Sequence, residues 1–162
     1  MRNHLSAEQL ASSVIQVLES AAFVFAERID EAPWPVATAA GAHVTLEHGD
    51  QARLTLCVAP TLGTVLAANL LGLEPDSEEA RTSAADAVAE LANMLAGVLA
   101  VELFGRDVTT RIGVPRLVEE SAADHEQHLA AATCRVALLT EEGERIDVTL
   151  APPSAPPESV QP

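Results

Sequence analysis

The stretch DAVAELANMLAGVLAVELFG, residues 86–105, reads as a helix with two unlike faces. At 100 degrees per residue, Val88, Leu91, Leu95, Val98 and Leu99 gather in a sector about 100 degrees wide, the breadth of a core-facing stripe. Opposite them, Asp86, Glu90, Asn93 and Gly97 fall within roughly 60 degrees of one another, flanked by Ala89, Ala96 and Ala100. A solvated helix normally fills its outer face with Lys, Glu, Arg and Gln. Between Ala87 and Val101 the only polar side chains here are Glu90 and Asn93. The expected outer face is therefore a smooth surface carrying two polar heads, shaped for close approach of a partner.

Working outward, the helix containing this stretch should begin near Ser77, after the acidic EPDSEEA, and stop at Gly105. Upstream, SAEQLASSVIQVLESAAFVFAERI predicts a first helix, capped by Ser6 and ended by DEAPWP. AHVTLEHGDQARLTLCV, residues 42–58, alternates with period two around His48-Gly49-Asp50 and predicts a β-hairpin. Pro60 opens a short helix that stops near Gly72. Downstream, DVTTRIGVP, HLAAATCRVALLT and RIDVTLA are strand-like, the last two joined by a turn at Glu141 to Glu144. EESAADHEQH, residues 119–128, is expected to be a polar loop. The order predicts one α+β domain over residues 1–151, a mostly antiparallel sheet with helices packed on one face. Beyond it, the proline-rich 152–162 is expected to be disordered.

Composition narrows the function. The 162 residues carry a net charge of −15, which repels phosphate backbones and anionic lipid headgroups and argues against nucleic acid or a membrane surface as the main partner. A partner with a basic rim fits better. No run is expected to approach the roughly 18–20 apolar residues of a spanning helix, and Met1 to Ser20 lacks the apolar block of a signal peptide. Cys57 and Cys134 have no paired spacing and read as reduced core residues of a cytoplasmic protein. His125 and His128, beside Asp124, have metal-compatible spacing but no obvious third ligand nearby, so they are read as solvated and no metal site is expected. Glu102 is expected near a fraying helix end.

With 17 Glu and 3 Asn in the chain, a Glu-x-x-Asn pair arises by chance about 0.3 times and is weak on its own. The wider pattern is more specific. DAVAELANMLAG resembles the signature of the CheC/CheX/FliY family of chemotaxis phosphatases, with Asp86, Glu90, Asn93 and Pro115 in the motif's places, although the Asn-to-Pro interval is one residue short. VIQVLESAAFVFAE is similar to the family's opening helix, and the element order agrees over about residues 6–150. When VLESAAFVFA is laid over VAELANMLAG as a pseudo-repeat, Glu19 matches Glu90 and Ala22 stands where Asn93 does. One site rather than two favours the CheX branch, although the glycine-rich hairpin common there is absent.

The resemblance implies hydrolysis of the phospho-aspartate of a CheY-type response regulator. Asn93 would then position the attacking water and Glu90 would dock the regulator, with Asp86, Ala89 and Gly97 as contact residues. It implies no cofactor of the chain's own, Mg²⁺ in the partner, and a homodimer through the sheet, for which residues 129–150 offer an edge. The rival reading is a non-catalytic docking module of the same fold.

Overall fold

The computed structural model describes residues 4–30 and 32–152. The tail expected to be disordered lies, from residue 153 on, outside the described residues. Five helices and seven strands follow in the order α1 (Ala7–Ala22), β1 (Ala26–Ile29), β2 (Thr38–His48), β3 (Asp50–Val58), α2 (Pro60–Leu71), α3 (Glu78–Thr82), α4 (Ala84–Phe104), β4 (Arg111–Ile112), β5 (Arg116–Ser121), α5 (Ala122–Ala130), β6 (Cys134–Thr140) and β7 (Arg145–Ala151). All pairings are antiparallel. The strands line up as β1-β6-β7-β3-β2-β4, with β5 also pairing β2.

Helix α1 starts on a capping box. Ser6 Oγ accepts from Gln9 N–H at 3.1 Å, and Gln9 Oε1 accepts from Ser6 N–H at 3.0 Å. It is shorter than expected. Phe23 adopts the left-handed conformation at φ 52° and ends the helix, and Ala26–Ile29 then pair with β6. From Phe23 the burial alternates, with Val24 and Ala26 inside and Phe23 and Phe25 outside. That is strand periodicity, which the helical reading of residues 23–29 missed.

The hairpin is as predicted, turning at Gly49 with φ 72°, and α2 begins at Pro60 and ends before Gly72. The long helix is broken once. Ser77 caps α3 through its hydroxyl, and Ser83, at φ −93° and ψ 1°, separates α3 from α4. Thr82 Oγ1 donates to the Glu79 carbonyl at 3.1 Å, a local bond that competes with helix propagation.

One face of the sheet is apolar. Val44, Leu46, Leu54, Leu56, Val58, Val136, Leu138, Ile146, Val148 and Leu150 are all buried and form one cluster with the inner sides of α1, α2 and α4. Helix α4 has the length and apolarity of a membrane span, which overturns the expectation that no run comes near one. Ten of its side chains are buried, so its apolar character fills this core. The other face carries His43, Thr55, Cys57, Asp147 and Thr149, and α5 lies there, where a loop was expected. Strand β7 is interior and β1 covers β6 along Ala137–Thr140, so residues 129–150 leave only the Cys134–Val136 end of β6 as edge; the outer strands are β1 on one side and β4 with β5 on the other.

Gly41 is where two strands leave no room for a side chain. It pairs with Cys57 on β3 and Val118 on β5, and a Cβ there would stand 2.6 Å from the Leu56 carbonyl oxygen and 3.0 Å from Cys57 Sγ. Gly41→Ala is expected to cost about 1–3 kcal/mol by overpacking, read as a lower urea midpoint; an unchanged midpoint would contradict the packing described.

Candidate functional site

Helix α4 lies across β2 and β3 between α1 and α2. Leu91, Leu95 and Leu99 are fully buried beneath it, so its outward residues are fixed in direction by three anchors on successive turns. Asp86, Glu90 and Asn93 are exposed, and Ala89 and Gly97 are half-buried on the same side. All five residues predicted for the site therefore share one ridge.

The edges of that ridge differ from the helical-wheel reading. Val98 is 36% exposed and does not belong to the core stripe, whereas Ala96 and Ala100 are buried. The cause is the crossing geometry: neighbours on both flanks of α4 bury an arc wider than one stripe, displaced toward Ala92, Ala96 and Ala100. The polar ridge is accordingly narrower than predicted and borders Val98 and Val101, both partly open to solvent.

Among the described residues, the side chains of Glu90 and Asn93 have no hydrogen bond or ion pair within the chain. The Asn93 carboxamide thus keeps a donor and an acceptor for an outside group, and Glu90 presents its carboxylate one turn away. Glu102, in contrast, is held. Its Oε1 accepts from Ser13 Oγ at 2.5 Å, so the expected fraying of the helix end is not seen.

The matching position on α1 cannot act as a second site. Ala22 is fully buried and its carbonyl accepts from Asn69 Nδ2 at 2.8 Å, although Glu19 is exposed. Pro115 is half-buried in the segment before β5. The loop reading of residues 119–128 fails. Residues 116–121 form β5, 122–130 form α5, and His125 is 1% exposed, its Nε2 at 2.8 Å from Asp147 Oδ2. Asp147 is 22 residues away, so local spacing gave no sign of the partner. The alternation in RIDVTLA, which puts Arg145, Asp147 and Thr149 on one face, was the available signal.

Gly97 tests whether the ridge is free. A Cβ built there meets nothing within 4 Å, so Gly97→Ala is expected to raise stability by about 1 kcal/mol through helix propensity, seen as a higher urea midpoint. A loss of stability would mean that the chain itself occupies this surface.

The family model for chemotaxis phosphatase CheX matches residues 41–139, a span that includes the whole ridge. No curated protein gives a significant match. Among solved structures, the CheX–CheY–BeF3–Mg²⁺ complex of Borrelia burgdorferi is similar at TM-score 0.67 and 15% identity, covering 92% of this chain and 98% of that one. CheX from Desulfovibrio desulfuricans is similar at TM-score 0.59 and 15% identity, covering 89% and 97%. CheX from Vibrio vulnificus follows at 0.57 and 15%, covering 87% and 95%. At such identities the likeness concerns the fold, and the family match covers more than half of the sequence: the chain belongs to the CheX family of chemotaxis phosphatases.

Proposed function

We propose that this protein hydrolyses the phospho-aspartate of a CheY-like response regulator docked on the α4 ridge, with Asn93 and Glu90 as the residues that reach it. The observation that carries the reading is the exposed, unpartnered Glu90–Asn93 pair on a helix whose other face is locked in the core. Support comes also from the Borrelia protein of similar fold, which is complexed with CheY, BeF3 and Mg²⁺.

An aspartyl phosphate is already activated, and a magnesium ion in the regulator supplies charge stabilisation there. What remains is to place a water in line with the leaving oxygen. A neutral carboxamide can accept one hydrogen bond and donate another, and it holds its orientation across neutral pH because it does not titrate. In this reading Asn93 inserts beside the phosphoryl group and aligns the water. Glu90 pairs with a basic side chain of the regulator and sets the depth of insertion. Asp86 adds negative charge four residues before it, while Ala89 and Gly97 let the partner backbone approach. The chain needs no cofactor of its own for this step, and its net charge of −15 favours a regulator with a basic rim. A cytoplasmic location goes with such a substrate.

In the same reading two copies pair through a free edge. Strand β1 is favoured because Phe23, Phe25 and Leu139 leave apolar surface beside it. Light scattering is expected to give the mass of a dimer; a monomer at working concentration rejects that part alone.

The catalytic test uses a regulator loaded with acetyl phosphate. Asn93→Ala is expected to slow the accelerated decay by about 10²-fold or more, as loss of reactant positioning does, with regulator binding largely kept. Glu90→Ala is expected to weaken both binding and rate, and Gly97→Ala to weaken binding while the fold is stabilised. Equal decay with wild type and Asn93→Ala would remove the water-positioning role. Binding without acceleration by wild type would point to the non-catalytic docking module instead.

A further inference from the structure

On the face of the sheet away from α4, three imidazoles converge on one carboxylate. His125 Nδ1 is 3.4 Å from Glu120 Oε2, His43 Nε2 is 3.9 Å from Glu120 Oε1, and His128 Nδ1 is 4.0 Å from the same oxygen. Cys57 joins them: its Sγ, a Glu120 oxygen and a His125 nitrogen all lie within 4.8 Å of one another. These groups come from β2, β3, β5 and α5, so only the folded chain assembles them. Cys57 and His125 are each 1% exposed, and the Glu120 and His128 side chains 14% and 9%.

The outer nitrogen of each ring is already engaged. His125 Nε2 meets Asp147 Oδ2 at 2.8 Å, His43 Nδ1 meets Thr55 Oγ1 at 2.7 Å, and His128 Nε2 meets Thr149 Oγ1 at 3.1 Å. Partners of this kind fix ring orientation and tautomer when the inner nitrogen binds a metal ion, and the carboxylate behind His125 is the commonest of them. Asp147 is itself held by Arg145, whose Nε donates to Oδ1 at 2.6 Å.

The surroundings leave two of the rings neutral and able to act as ligands. Burial, aided by the positive charges of His128 and Arg53, brings His43 down to about 4, so its imidazole is neutral at physiological pH. Burial also lowers His128, against the pull of Glu120. Burial and the negative charges of Glu120 and Asp147 push the Cys57 thiol far up. For His125, burial acts to lower basicity, but the hydrogen bond and charge of Asp147 and then of Glu120 outweigh it and hold it above its ordinary value. His125 stands between two carboxylates, Glu120 at 3.4 Å and Asp147 at 2.8 Å, a setting that suits positive charge.

We propose that Cys57, Glu120 and His125, completed by His128 or His43, bind a late first-row divalent cation. Zinc is the best match to a thiolate, imidazole and carboxylate set. Nitrogen and oxygen ligands on a tetrahedral zinc stand about 3.4 Å apart, given its bond lengths. The His125–Glu120 spacing already meets this, and one of the other two rings, 3.9 and 4.0 Å from the second Glu120 oxygen, must shift inward to complete the set. Binding sends the Cys57 thiol proton to solvent, and any proton on His125 Nδ1 leaves with it, while His125 Nε2–H donates to Asp147. The ion would tie α5 to the sheet through β5 and β3, independently of the α4 ridge on the opposite face.

The test uses the full chain, free of any tag and stripped with chelator. Zinc is expected to bind at one equivalent per chain after desalting and to raise Tm reversibly with EDTA. Cobalt(II) is expected to give the near-ultraviolet thiolate charge-transfer band, absent in Cys57→Ser and weakened in Glu120→Gln. No retained zinc, or a wild-type cobalt complex without the thiolate band, overturns the site. Equal zinc content in wild type and both variants also overturns it, by placing the ion on surface groups such as His4 or His48. The wild-type cobalt spectrum decides alone if Cys57→Ser fails to fold. None of these readouts involves a response regulator.

Discussion

The burial of Leu91, Leu95 and Leu99 against the hairpin strands is the constraint on which the rest of the structure depends. Each fully buried leucine contributes about 1.5–3 kcal/mol relative to exposure, and three on successive turns remove the freedom of α4 to roll about its axis. A helix that cannot roll presents Glu90 and Asn93 in one fixed direction. That is the property a positioning residue needs, because a water held by a carboxamide is useful only if the carboxamide itself does not wander. The core thus acts on function through orientation, and the small residues beside the pair keep the approach open.

Much of this was legible because it is written in short-range periodicity. The period of 3.6 in residues 86–104 gave the face of α4, and the period of two in 42–58 gave the hairpin with its turn at Gly49. The mistakes came where a period was short or interrupted. Residues 23–29 were absorbed into the preceding helix because α1 ends on a left-handed phenylalanine in place of the usual glycine. The break at Ser83 has no period to announce it, since it rests on one side-chain bond of Thr82 and on the conformation of one residue. Val98 was assigned to the core because a wheel gives angle alone, whereas the crossing of neighbouring helices decides which arc is covered.

The second face of the sheet was the least legible part. A run such as ESAADHEQH is polar by composition, and polar composition ordinarily means solvent. Here the polar groups are answered by other polar groups far along the chain: Asp147 for His125 and Thr149 for His128. No local pattern states that two such segments face each other. Trp34 gives the arrangement a lid. It is 6% exposed, its indole N–H donates to the Thr38 carbonyl at 3.2 Å, and its ring stands edge-on to His125 with centroids 4.6 Å apart.

The two faces of this sheet solve the burial problem in opposite ways, and the contrast bears on what each is for. An apolar face gains stability from any well-packed set of side chains of the right volume. A buried polar network gains little over an apolar replacement and becomes a liability when one member is lost. The pairing register puts the two solutions in the same strands, since Leu54 and Leu56 face the helices while Thr55 and Cys57 face the histidines. Apolar residues at these positions would have given a simpler second face, closed by α5 in the manner of the first. Stability alone therefore does not account for three histidines, a cysteine and two carboxylates gathered there, whereas binding chemistry at their common centre does.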